Sequence, residues 1–107
     1  MLNRRDKRRY LAIWDSDHLR DHHKIIESIR KRNSELFGQI ATEKANLRFI
    51  DINEKHIIIL SCKLEALGAL LSTIVMMESP MLLLRISGTL KALRRFLRNA
   101  ETRVLSP

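Results

Sequence analysis

Two apolar runs, Asn46-Leu47-Arg48-Phe49-Ile50-Asp51-Ile52 and Ile57 to Lys63, stand four residues apart. Both are rich in β-branched or aromatic residues, which suit a pleated, half-buried surface. Segments this close pair antiparallel, because a parallel pair needs a crossover of a dozen or more residues. Asn53-Glu54-Lys55 makes the turn, and its lack of glycine predicts a loop longer than two residues. A hairpin in mid-chain then constrains what can flank it.

Upstream, Tyr10-Leu11-Ala12-Ile13-Trp14 reads as a first strand that stops at Asp15-Ser16-Asp17. Asp17 suits the N-cap of a following helix. Apolar residues at 19, 26, 29, 36 and 37 have helical spacing from Leu19 to Phe37, with Ile40 beyond and Gly38 as the stop. Downstream, residues 64 to 78 read as a second helix ended by Ser79-Pro80. Gly68, Ser72 and Glu65 hold its narrow polar arc, leaving an apolar arc of roughly 260° where one sheet face needs about 100°. The surplus predicts cover from a partner protein or from another element of this chain, and Ala66, Ala69, Met76 and Met77 are the candidate partner face. Met81 to Ile86 is a fourth strand, and a last helix runs from Thr89 to Ala100.

The order strand, helix, strand, strand, helix, strand, plus a final helix, is the split βαβ or ferredoxin-like arrangement. It predicts an α+β, RRM-like sandwich with a four-stranded antiparallel sheet. The organisation is a basic arm over 1–9, one domain over 10–102 and a tail over 103–107. In this topology the fourth strand lies antiparallel beside the first, which brings Ser87 close to Tyr10. Both strand faces are apolar and strand three has no aromatic residue. Those features argue for a sheet covered on both sides and against bases stacked on it as in RRM domains.

Charge is concentrated at the ends. Residues 1–9 carry Arg4, Arg5, Lys7, Arg8 and Arg9 against Asp6, a net +4; residues 85–103 carry Arg85, Lys91, Arg94, Arg95, Arg98 and Arg103 against Glu101, a net +5. The total is +8, so the middle of the chain is close to neutral at −1. Clustered cations of this kind suit a polyanion. The apolar stretch over 66–84 is broken by Glu78-Ser79-Pro80, which argues against a membrane span. One cysteine, Cys62 in an apolar run, predicts a buried thiol in a reducing, cytoplasmic setting, and the basic N-terminus lacks the apolar run of a signal peptide.

The stretch ISGTLKALRRFLRN over 86–99 concentrates the candidate chemistry. Thr89 or Ser87 can cap the last helix, Gly88 lets backbone approach a ligand, and the unsatisfied first-turn amides favour an anion. Lys91, Arg94, Arg95 and Arg98 share one helical face, while Leu90, Leu93, Leu97 and Ala100 share another that docks on the core. The arm cations add phosphate contacts that do not read sequence. Arg30-Lys31-Arg32 has acids at helical spacing, Glu27 and Glu35, and reads as a charge-paired surface. His18 and His22 have chelating spacing without a cysteine or protease pattern beside them, so solvated helix histidines are the expectation. Asp15, Asp17 and Asp21 suit the start of the first helix, the rival being a nuclease that gathers them on Mg²⁺.

Leu36-Phe37-Gly38-Gln39, Ala45-Asn46-Leu47-Arg48-Phe49-Ile50, Ser61-Cys62 and Ile86-Ser87-Gly88-Thr89-Leu90-Lys91-Ala92-Leu93 together resemble ribonuclease P protein component 2 of archaea, which has a related eukaryotic subunit. The resemblance covers about residues 8–98. It departs at Ile40-Ala41-Thr42 and in the hairpin, where the family favours glycine, and at Ser61, where an arginine is common. It implies a subunit that supports the catalytic RNA of ribonuclease P in removing the 5′ leader of precursor tRNA. The active site and its Mg²⁺ would belong to the RNA. This chain would bind no cofactor of its own and have no activity alone. The implied partners are that RNA, precursor tRNA and ribonuclease P protein component 3, in a two-plus-two assembly that includes a second copy of this chain. A general RNA-binding module, such as a ribosomal subunit, is the alternative.

Overall fold

The computed structural model describes residues 7–16, 21–53 and 55–105, with side chains through residue 100. The elements are β1 (Arg8–Asp15), α1 (His22–Phe37), α2 (Gln39–Ala45), β2 (Arg48–Ile52) and β3 (Ile57–Lys63). After a single 3-10 turn over Leu64–Ala66 come α3 (Leu67–Val75), β4 (Met81–Ser87) and α4 (Leu90–Leu105). The four strands form one antiparallel sheet in the order β2-β3-β1-β4. This is the ferredoxin-like α+β fold with an added C-terminal helix. No helix of the described residues is long and apolar enough to cross a membrane.

Strand alternation sorts the apolar residues onto two faces. On one, Leu11, Ile13, Ile58, Leu60 and Cys62 pack with Ile25, Ile26 and Ile29 of α1 and Leu70 and Ile74 of α3. On the other, Ala12 and Ile59 pack with Leu93, and Tyr10, Ile57, Leu84, Leu90 and Leu97 close around them. The final helix therefore covers the face that an RRM would leave open. Its seal is Leu93, which is fully buried.

Several boundaries differ from the sequence expectation. Helix α1 starts at His22 and is capped by Asp21, whose carboxylate accepts the His23 amide; the start at Leu19 and the cap at Asp17 fall outside the described residues. Beyond Gly38, whose φ of 96° ends α1, the chain turns again into α2, where Ile40 is exposed instead of continuing the α1 face. The 64–78 helix is shorter: it begins as a 3-10 turn and ends at Val75, so Met76 and Met77 belong to the turn that follows. Between Ile52 and Ile57 the connection is longer than two residues, as expected; Glu54 of the predicted turn lies outside the described residues, and Asn53 Oδ1 accepts the amides of Lys55 and Ile57.

The two edge strands each carry a bulge. In β2 the register slips between Phe49 and Asp51, so Ile50 and Asp51 both serve the α4 side. In β4 the slip lies at Leu84, and Arg85 pairs with Ala12 on that same side. Each bulge re-aims a charged side chain toward α4. Asp51 meets Arg94 at 3.8 Å, and the Arg85 guanidinium lies 4.7 Å from the Phe96 ring centre. Thus α4 is flanked on both sides by edge-strand charges.

Candidate nucleic-acid interface

The expected meeting of the end of β4 with the start of β1 is present in the strand register. Tyr10 pairs with Ser87, which brings β1 and the turn before α4 side by side. The Arg9 guanidinium reaches that turn: a β-carbon on Gly88 would lie 3.9 Å from it. Arg9 Nη1 also donates to the Arg8 carbonyl at 2.9 Å, which folds the side chain back along the strand. Arg4 and Arg5 lie outside the described residues, and Lys7 is exposed just ahead of β1.

Arg8 has a different fate from Arg9, because neighbouring strand residues face opposite ways. Its Nε donates to Ser61 Oγ at 2.7 Å and its Nη2 to the Asn46 carbonyl at 2.6 Å. The side chain is partly buried and ties β1 to β3 and to the entry of β2. Ser61 is the position where the resembled family often has arginine. Here a guanidinium still reaches that point of β3, delivered from the adjacent strand.

The turn before α4 is organised by two hydroxyls. Ser87 Oγ accepts the Thr89 amide at 3.3 Å, and Thr89 Oγ1 accepts the Ala92 amide at 3.1 Å. Thr89 is therefore the N-cap and Ser87 orders the turn. The amides of Leu90 and Lys91, the first two of α4, have no acceptor within the helix itself and lie at the positive end of its dipole. Lys91, Arg94, Arg95 and Arg98 are all exposed on α4, opposite the buried Leu93.

Two further cations belong to this surface and were missed from sequence. Arg48 pairs with Ser61 across the hairpin, and Lys63 pairs with Arg8. Paired residues share a face, so Arg48, Ser61, Tyr10 and Ser87 form one row across all four strands. That row ends at the start of α4. Strand alternation from Arg48 through Ile50 would have shown its face, but the bulge behind it hides the period.

Other sequence candidates do different work. His22 stacks on Phe49 at 4.4 Å between ring centres and lies 3.3 Å from Asp21, while His18 is outside the described residues. Asp15 is buried at the end of β1, well removed in role from Asp21, the α1 cap. Among the described residues no three His, Cys, Asp or Glu side chains gather to hold a metal. Arg32 pairs with Glu35 at 3.5 Å and donates to the Met76 carbonyl, which fits the charge-paired surface expected there. Burial pushes the Cys62 thiol pKa up, only partly offset by the positive charge of Arg8.

The partner face on α3 is reduced. Met77 packs against this chain's own core, and Ala66 and Ala69 are half-buried. Val75 at 83% and Met76 at 50% exposure are what remains open of the broad apolar arc. The arc looked wider in sequence because it assumed a helix through residue 78.

The fold and the basic surface together define a ferredoxin-like domain whose usual platform face is closed by a cationic C-terminal helix. No protein-family model matches the chain, and no curated protein matches it. Among solved structures, it is similar to a chain in the cryo-EM structure of yeast ribonuclease MRP, with a TM-score of 0.61 at 13% identity. The match covers 99% of this chain and 100% of that one. At that identity the likeness is one of fold.

Proposed function

We propose that this chain is an RNA-binding protein subunit of ribonuclease P, supporting the catalytic RNA that removes the 5′ leader from precursor tRNA. The observation that carries the reading is the pairing of Tyr10 with Ser87, which joins the cations of β1 to those of α4 at one corner of the sheet. A phosphate backbone needs this kind of surface: several cations and open amides on a rigid frame, with no demand for base identity. The likeness of fold to a chain of ribonuclease MRP, over nearly the whole length, supports a ribonucleoprotein setting.

In this reading Arg9, Lys91, Arg94, Arg95 and Arg98 neutralise phosphates, and the Leu90 and Lys91 amides receive one at the helix start. Ser87 and Thr89 hold those amides in place through their own hydrogen bonds, and Gly88 keeps the approach open. Arg4 and Arg5, ahead of β1 in the sequence, supply further positive charge in this reading. The RNA brings the active site and its Mg²⁺. Val75 and Met76, with ribonuclease P protein component 3 or a second copy of this chain as the occupant, form the protein contact.

The test is the salt dependence of binding to ribonuclease P RNA. Replacing Lys91, Arg94, Arg95 and Arg98 together should flatten the log–log salt slope by roughly 0.7 to 0.9 per lost contact and slow leader removal in the reconstituted particle. An unchanged slope means these cations face solvent. Equal affinity for unrelated RNAs in competition would instead favour a general RNA-binding module. Leader removal by the isolated protein with Mg²⁺ would favour a nuclease.

A further inference from the structure

Alongside α4, on the side facing β2 and β3, lies a groove of about 610 Å³. Its floor is Ile59, Leu90 and Leu97, and its rim on the helix is Lys91, Arg94 and Arg98. Asp51 and Asn53 form the opposite wall. A second hollow of about 230 Å³, lined by Lys55, Leu84 and Phe96, shares Asn53 and Leu97 with it, so the two adjoin along α4.

This composition is not that of a surface for duplex backbone. A duplex presents phosphates to a protein and hides its base faces, so it has no use for an apolar floor. An unpaired nucleotide offers both parts: a flat apolar face and an anion a few bonds away. We propose that the groove receives an unpaired nucleotide of the bound RNA. The base lies on Ile59, Leu90 and Leu97, and the adjoining phosphates meet Lys91, Arg94 and Arg98. The idea rests on the RNA-binding reading above and specifies what part of the RNA this face takes.

Three observations support that occupant. The groove is open to solvent along its length, and its volume of about 610 Å³ leaves room for a small ligand to lie in it. The charges are complementary, with three cations on the rim where an anionic backbone would pass. The wall is polar where a base edge would point: Asp51 supplies carboxylate oxygens to accept from a base N–H, and the Asn53 carboxamide, its oxygen already holding the hairpin turn, has its nitrogen as donor. The single acid in the groove is otherwise out of place on a phosphate-binding surface. In the free protein Asp51 pairs with Arg94 at 3.8 Å, both half-exposed, an ion pair weak enough for RNA to displace.

The floor is aliphatic, so this is burial of a base against a helix flank rather than stacking on strand aromatics. The β2 bulge creates it. Without the slip between Phe49 and Asp51, the Asp51 side chain would turn away from α4 and the wall would vanish.

The test compares two RNAs on the full chain: a short single strand of mixed sequence and a blunt duplex of the same length. The expected result is about tenfold tighter binding of the single strand. Leu97→Asn, which keeps the side-chain size and makes the half-buried floor polar without adding charge or a stacking ring, should bring that ratio toward one. Ultraviolet cross-linking of the single strand to the unmodified protein, read by mass spectrometry, should mark peptides containing residues 51–59 or 90–98. If neither RNA binds, the groove proposal is overturned, and the salt-dependent binding of ribonuclease P RNA decides the RNA-binding reading separately. If both bind alike, as they would were an acidic protein segment the occupant, the groove proposal is overturned and the RNA-binding reading survives. A folded Leu97→Asn protein with its preference intact also overturns it. Should that variant not fold, cross-links confined to other peptides overturn it alone.

Discussion

The Arg9 guanidinium sits against Gly88, 3.9 Å from where a β-carbon would be. The two residues are far apart in sequence and adjacent because β4 returns antiparallel beside β1. The contact is ordinary van der Waals spacing, so the glycine is not there to avoid a clash with this chain.

That makes Gly88→Ala informative. The alanine fits in the free protein, and the thermal midpoint should stay within a few degrees, consistent with a change of about 0.5 kcal/mol or less for a surface substitution. If a phosphate approaches this turn closely, the added methyl should weaken RNA binding several-fold. Thermal melts and filter binding on the same preparations separate the two effects. A variant that melts and binds like the parent removes Gly88 from the interface.

Thr89 caps α4 through the Ala92 amide. Thr89→Ala should cost about 0.5–2 kcal/mol, and Thr89→Ser should recover most of it, since the hydroxyl and not the methyl makes the bond. Denaturant unfolding measures both. Equal losses in the two variants would mean that the methyl group's packing, not the cap, is what matters.

A buried polar chain joins three helices. The Thr73 hydroxyl lies 2.7 Å from Asn33 Oδ1 and 2.9 Å from the Ala69 carbonyl, and Asn33 Nδ2 donates to Thr42 Oγ1 at 2.8 Å. Thr73 and Asn33 are both buried. Thr73→Val keeps the shape and removes the hydroxyl, leaving a buried amide oxygen one partner short. The expected loss is about 1–3 kcal/mol in chemical denaturation. A neutral result would mean that water replaces the hydroxyl.

Cys62 supplies a pH prediction. Burial raises its folded pKa above the ordinary thiol value, so the folded state holds the proton more tightly than the unfolded chain. Its contribution to stability is complete below the unfolded thiol pKa and is lost as pH rises through the folded one. Stability should therefore fall with alkaline pH more steeply in the parent than in Cys62→Ala, compared by urea titration across that window. The native thiol should also react slowly with an exposed-thiol reagent until the protein unfolds.

Much of this architecture is written locally. β3 spans Ile57–Lys63 as its β-branched run predicts, and α4 shows one apolar and one cationic face because helical spacing alone separates Leu90, Leu93 and Leu97 from Lys91, Arg94 and Arg98. The order of elements also sufficed to bring Ser87 beside Tyr10, since few topologies connect strands in that sequence. The end of α3 was less legible. Hydropathy continues through Met77, but the chain must leave the helix at Val75 to bring Met81 alongside Asp15 in β4, and no short-range pattern encodes that distance.

Composition and spacing determined the fold class, the two basic segments and the amphipathic last helix, because each depends on residues near one another in the chain. Tertiary structure alone decided that Arg8 turns to Ser61 and Asn46 while Arg9 turns to Gly88, and that α4 lies with a groove open toward Asp51. Those outcomes follow from strand register and from two bulges. A slip of one residue reverses which side of the sheet every later side chain occupies, and only the packed sheet sets it.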